Sequence, residues 1–296
     1  MSVIYKKPVL TVEQQATLLI DRGIIVNDIS ELSEFLAHTS YYHLSAYLFP
    51  FKEADSERFK PGTTFEMIYR RYTFDRRFRI MVLDAIERVE TAMKARIVNE
   101  FSVRHGAFGY LNIENFNHFP EDKFNYYQSA IANEIRKSKE QFVKHFRDKY
   151  TNEHLPFWMA IELISFGTLF TIFRYMRNDE QKRIARTFCI PSSILVAWLH
   201  TLNYVRNICA HHARLWNIRL ALIPRKPTNS AYPQWGNVDA EKPFMILLML
   251  SHLLRYCAPR THWRQRMEDL VDEYADLPFD RIGFPENWKN HPVWRQ

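Results

Sequence analysis

From Thr63 to about Arg104, apolar residues such as Phe65, Ile68, Met81, Ala85, Val89 and Met93 recur three and four positions apart. That interval keeps one side of a helix apolar and predicts a single long helix. Thr63 and Glu66 have capping-box spacing at its start. Asp75–Arg79 and Glu90–Lys94 are four residues apart, which lays charge pairs along its polar side. Arg70, Arg71, Arg76 and Arg77 cluster there too. A solvated helix face accounts for that cluster more simply than a track for an anionic substrate.

The same pattern predicts helices elsewhere. "TVEQQATLLIDRG" carries a second capping box at Thr11–Gln14 and a glycine stop at Gly23. "ISELSEFLAHTSYYHLSAYLFPF" continues with helical periodicity as far as Pro50. A polar helix is expected over 123–149, an apolar one over Phe157–Met176 and a short one over 179–188. Ser192 follows Pro191 as an N-cap candidate for a helix over 193–220, closed by Pro224 and Pro227. A core helix over 243–257 and an amphipathic one over 262–276 complete the set. Residues 224–242 have no helical pattern, and a loop of that length is either functional or mobile. No alternating strand pattern occurs, so the chain is read as all-α. Its expected organisation is an N-terminal helical segment (1–60) packed on a helical core (61–276), with a C-terminal tail (277–296).

Composition agrees. Of 296 residues, 47% are hydrophobic and 15% aromatic, ample for a core, while seven glycines leave little room for phosphate-cradling loops. Forty Lys+Arg against 33 Asp+Glu give a net charge of +7, which suits an anionic partner such as nucleic acid. The three cysteines are dispersed in apolar contexts and read as buried thiols of a reducing cytoplasm. The N-terminus shows no signal peptide, and the apolar runs are too short or interrupted to span a membrane. No metal motif and no cofactor motif is present.

The helix predicted over 193–220 holds the most unusual stretch, "LHTLNYVRNICAHHARLWN". At about 100° per residue, Asn203, Asn207, His211 and Arg214 share one polar groove, and Arg206 stands about 100° from Asn207 at its border. His212 falls on the opposite, apolar arc and is expected to face the core. Adjacent histidines that point apart, with no HExxH and no acidic pair, give poor support for metal ligation. No GxSxG accompanies them. Histidine beside a guanidinium suits transesterification at a phosphodiester: His211 could move a proton, and Arg206 could stabilise charge on the phosphorane-like transition state. Asn207 could orient His211 or hold a phosphate oxygen. A solvated or subunit-packing surface would carry the same residues.

Arg206–Asn207–(three residues)–His211 resembles the R-x4-6-H motif of HEPN ribonucleases. "SYYHLSAYLFPF", "LPFWMAIELISFGTLFTIF", "LNYVRNICAHHARLWN" and "IGFPENWKNHPVW" follow in the order of the hallmark segments of abortive-infection proteins of the AbiD/AbiF type. The similarity spans roughly residues 5–295. His43 stands where many relatives carry arginine, and Ala46 where they carry glycine. The resemblance implies a HEPN-like helical bundle with an N-terminal helical extension. It also implies a metal-independent, cofactor-free RNA endonuclease of bacterial anti-phage defence. Its sites are commonly composite, so a homodimer is implied, and an antitoxin or a structured noncoding RNA are possible partners. A non-catalytic RNA-binding module and a protein-binding regulator are the alternatives.

The expected site comprises Arg206, Asn207 and His211, supported by Asn203 and Glu162. Glu162 interrupts an apolar run, where an unpaired buried carboxylate is costly. It would therefore orient Arg206 or His211, pair structurally with another arginine, or lie exposed. Arg214, Arg225 and Lys226 are candidate RNA contacts, with Tyr232 and Trp235 beside them as stacking surfaces.

Overall fold

Thr11 opens the first helix of the computed structural model, which describes residues 4, 8–227 and 233–295. The Thr11 hydroxyl accepts from the Gln14 N–H at 3.3 Å, and the Gln14 side chain accepts from the Thr11 N–H at 2.9 Å. α1 (Val12–Asp21) stops before Gly23, whose φ of 106° suits only glycine. The following stretch, read as one helical run, divides at Ser40 into α2 (Ile29–Thr39) and α3 (Tyr41–Leu48). Ser40, at φ 63°, closes α2 with its N–H and caps α3 with its hydroxyl, 3.3 Å from the His43 N–H.

α4 (Phe65–His105) is the predicted long helix, but its cap is Thr64, whose hydroxyl accepts from the Met67 N–H at 3.2 Å. Thr63 is buried and donates to the Lys60 carbonyl instead. Asp75 and Arg79 are also buried, so they do not lie on the polar side where charge spacing placed them. α5 (Glu121–Lys137) and α6 (Gln141–Lys149) replace the single helix expected there. Next come α7 (Phe157–Leu163), α8 (Phe166–Tyr175), α9 (Asn178–Arg186) and α10 (Ser192–Ala210). α11 (Pro243–Cys257), α12 (Trp263–Glu273) and the short α13 (Pro292–Arg295) complete the chain. About 67% of the structure is helical and the fold is all-α. Among the described residues the extended pairings are two isolated bridges, Ile25–Thr64 and Lys52–Phe59.

Residues up to Phe78, with Leu270–Leu277, form one compact unit. Half-buried Phe35 packs edge-on against three rings there, with centroids 5.6, 5.6 and 5.1 Å from Phe65, Tyr69 and Tyr72. The Tyr47 hydroxyl donates to Asp75 at 2.6 Å. Two members of the arginine cluster are engaged here: Arg70 reaches Asp276 at 2.6 Å, and Arg77 pairs with Glu273.

Arg79–Asp269 and the residues from Pro278 onward form the second unit. α11 is its axis, buried at every position from Pro243 to Leu254. Burial leaves few partners for its polar groups: His252 Nε2 bonds the Phe188 carbonyl at 2.8 Å, and desolvation lowers its pKa. Trp263 donates to the Met81 carbonyl at 2.8 Å. Ile282, Trp288, Val293 and Trp294 bury the end of the chain in the same core. Of the cysteines, Cys209 is buried, and burial pushes the half-buried Cys257 thiol up to about 11. Cys189 is exposed at φ 53°, against the expectation of three buried thiols.

Candidate functional site at the end of helix α10

α10 carries the Arg-Asn-His stretch but ends at Ala210, ten residues before the predicted boundary. Its start also differs, since Pro191 holds the cap position and Ser192 makes no capping bond. The end is a Schellman turn. The His212 N–H bonds the Cys209 carbonyl at 3.2 Å, and the Ala213 N–H bonds the Ile208 carbonyl at 2.9 Å. His212 occupies the left-handed position at φ 59°, which a β-carbon makes costly and glycine usually fills. Beyond it Leu215 and Trp216 are buried, so the chain turns inward as soon as the helix stops.

This end corrects the helical wheel. His212 is exposed rather than core-facing, because it lies outside the helix on which the wheel placed it. Arg214 leaves the helical groove for the same reason. Asn217 takes a left-handed turn of its own at φ 51°. His211, one residue past the last helical position, still follows the helical path, with its N–H on the Asn207 carbonyl at 3.0 Å. Asn207 and His211 are both exposed on this end, and Arg206 is half-buried. Among the described residues, the Arg206 guanidinium makes one long contact, 3.5 Å to the Asn207 side-chain oxygen, and no ion pair. Its other donors are therefore available to an anion.

The apolar run Phe157–Met176 contributes a break rather than a helix. α7 ends at Leu163, and the Ser165 hydroxyl caps α8 by accepting from the Thr168 N–H at 3.2 Å. The first turn of α8 then meets α10: a β-carbon on Gly167 would lie 3.5 Å from the Asn203 side-chain oxygen. One face of α8 continues along α10, where the Phe170 and His200 rings stack at 4.8 Å. Burial, then the nearby Arg174 charge, lowers the His200 pKa.

Glu162, at the end of α7, has an exposed side chain and an ordinary surface position; it pairs with neither Arg206 nor His211. Its backbone carbonyl accepts from Lys94 Nζ at 3.2 Å. A carboxylate on α4 feels the charge of Arg206. Glu90 lies 3.8 Å from Lys94, and their side chains are 20% and 13% exposed. Burial raises the Glu90 carboxyl above the ordinary carboxylate range, while the charges of Lys94 and then Arg206 pull it back. Sequence spacing marked Glu90–Lys94 as a surface pair; the packing of α4 against the α7 end distinguishes it.

The loop after α10 is better anchored than its composition suggests. Lys226 donates to the carbonyls of Gly236 and Val238 at 2.9 and 3.0 Å, which ties its ammonium into the loop. Trp235 is fully buried against Trp198 at 5.1 Å, so it offers no stacking surface. Arg225 is exposed, its carbonyl holding the Trp198 indole N–H at 2.8 Å. Tyr232 lies outside the described residues. Among the described residues no group of three or more His, Cys, Asp or Glu is placed to hold a metal ion. No helix there is long and apolar enough to cross a membrane.

A family model described as Abi-like protein matches residues 34–217, more than half of the chain and including all of α10. The chain belongs to the Abi-like protein family, and that membership supports a role in abortive infection. No curated protein matches it significantly, and no solved structure does.

Proposed function

We propose that this Abi-like protein is a metal-independent RNA endonuclease of the HEPN type that acts in cytoplasmic anti-phage defence. The observation that carries this reading is the exposed end of α10, where Asn207 and His211 flank a guanidinium with unused donors. A ribose 2′-hydroxyl gives up its proton and attacks the adjacent phosphorus, and the 5′-oxygen leaves with a proton. His211 is suited to move these protons. Arg206 is suited to the charge that builds on the non-bridging oxygens, because its planar fork matches a phosphate. Asn207 orients the imidazole or holds a phosphate oxygen. The products are a 2′,3′-cyclic phosphate and a 5′-hydroxyl.

Arg206 and His211 stand about 140° apart around the helix. Such a pair converges more easily between two copies of α10 than within one, which favours a homodimer with a composite site. The net charge of +7 suits an RNA substrate, and exposed Arg225 is a fitting peripheral contact. An antitoxin or a structured noncoding RNA is a partner of the kind that would keep such a site silent.

Incubation of the purified chain with mixed RNA, followed by end-group analysis, tests the reading. Cyclic-phosphate ends formed equally with and without EDTA, and lost in His211→Ala at unchanged thermal stability, are the expected result. Chelator-sensitive cleavage, or full activity in His211→Ala, rejects it. Tight, salt-dependent binding without cleavage identifies a module that holds RNA instead.

A further inference from the structure

The α5–α6 hairpin carries charge that the rest of the fold does not answer. Arg136 and Lys137 end α5, Lys139 lies in the turn that follows, and Lys144, Arg147 and Lys149 sit on α6. All six are exposed, and the acids of the stretch 136–149 are Glu140 and Asp148. The two helix ends are drawn together, because the Arg147 guanidinium donates to the Ile135 carbonyl, in the last turn of α5, at 2.8 Å. Val143 and Phe146 are buried on the other side of α6, so the helix rests on the protein and turns its cations outward.

A solvated, charge-balanced face does not account for this surface. Where α4 meets α9, by contrast, Arg104 and Arg183 share Asp179, and Arg183 also meets Glu100. Among the described residues none of the six basic side chains of the hairpin is in an ion pair. Glu140 and Asp148 stand four residues before and after Lys144, the spacing at which charge pairs close, and neither closes on it. Cations in a last turn complement the helix dipole, which explains Arg136, Lys137, Arg147 and Lys149 but neither Lys139 nor Lys144. Tyr150, 47% exposed beside Lys149, adds an aromatic surface of the kind on which single-stranded nucleic acid stacks. A helix that docks on a bilayer keeps apolar residues for the lipid, whereas α6 has placed Val143 and Phe146 inside the protein.

We propose that the α5–α6 surface is a docking site for the phosphate backbone of RNA, built without any residue of α10. The inference rests on the cleavage reading above, to which it adds a place where the strand is held while the end of α10 acts on it. The contacts are charge to phosphate, so binding is independent of sequence and weakens steeply with salt. They also hold substrate and transition state equally, so their loss raises KM and leaves kcat in place.

The test is fluorescence anisotropy of a labelled 2′-O-methyl oligoribonucleotide, which binds but cannot cyclise, titrated with the full chain over a range of salt. The quadruple variant Lys137→Gln, Lys139→Gln, Lys144→Gln, Lys149→Gln is expected to lose at least about tenfold in affinity at unchanged thermal midpoint. Its slope of log affinity against log salt should be shallower by about two to three, since each lost phosphate contact on a single strand removes about 0.7. A control, Arg76→Gln, Lys182→Gln, Arg186→Gln, Arg260→Gln, removes the same charge from exposed positions elsewhere and should lose far less. With a cleavable oligoribonucleotide, the first variant should show a raised KM at unchanged kcat. Unchanged affinity and slope in the first variant, or an equal loss in the control, overturns the inference while a cleaving wild type leaves the cleavage reading standing. Affinity for phosphatidylserine vesicles that is lost in the first variant, with RNA affinity intact, overturns it in favour of a membrane surface. A wild type that binds the oligoribonucleotide through these lysines but cleaves nothing overturns the cleavage reading alone, and one that neither binds nor cleaves overturns both.

Discussion

At His212 a histidine occupies a backbone conformation in which glycine is the least strained residue. Its side chain is exposed, and its N–H completes the Schellman turn whatever the side chain is. His212→Gly is therefore expected to hold or raise stability in urea denaturation, by up to about 1 kcal/mol. His212→Val, β-branched in the same conformation, should cost about 1–2 kcal/mol. Glu90 makes a second case of strain, this time electrostatic. Its raised pKa means that the folded state holds the proton more tightly than the unfolded chain. Its contribution is thus most favourable below the ordinary carboxylate pKa and fades as pH rises through the folded value. Glu90→Gln should accordingly gain thermal midpoint relative to wild type as pH is raised from 4 to 7. A difference that shrinks over that range would contradict the assignment. The candidate site residues were legible in the chain, since Arg206, Asn207 and His211 stand out by type and spacing. The burial of Glu90 was not, because a four-residue charge pair looks the same on a wet face and at a helix junction.

At the scale of elements, hydrophobic periodicity located helices well and ended them poorly. α11 begins and ends as expected, because Pro243 supplies a start and its apolar run has one use, burial. The run through α7 and α8 stays apolar across the break at Ser165, and nothing in its period registers the serine hydroxyl competing for a backbone N–H. α10 ends without glycine or proline. What stops it is the burial of Leu215 and Trp216, a tertiary demand invisible to a wheel. The junction of α8 with α10 can be probed directly. Ser165→Ala removes the α8 cap and should cost about 1 kcal/mol in denaturant unfolding. Gly167→Ala should be at least as stable as wild type, because its new methyl meets Asn203 at an ordinary contact distance.

Across the whole molecule, His200, His252 and His291 all have pKa values lowered by burial. Each is harder to protonate folded than unfolded, so the unfolded state takes up more protons as pH falls through the ordinary histidine range. The thermal midpoint should drop between pH 7 and pH 5, and His252→Gln should reduce that drop. A midpoint indifferent to pH over this interval would refute the common direction of the three shifts. The aromatic wealth of the chain has a separate consequence. Six of its seven tryptophans are buried, while Trp158 on α7 is 49% exposed, one turn before Glu162 and the Lys94 contact. A collisional quencher such as iodide will therefore extinguish the emission of that one indole and spare the rest. The protein thus carries its own optical reporter on α7, and any partner seated over that helix should shield it from the quencher without an attached dye.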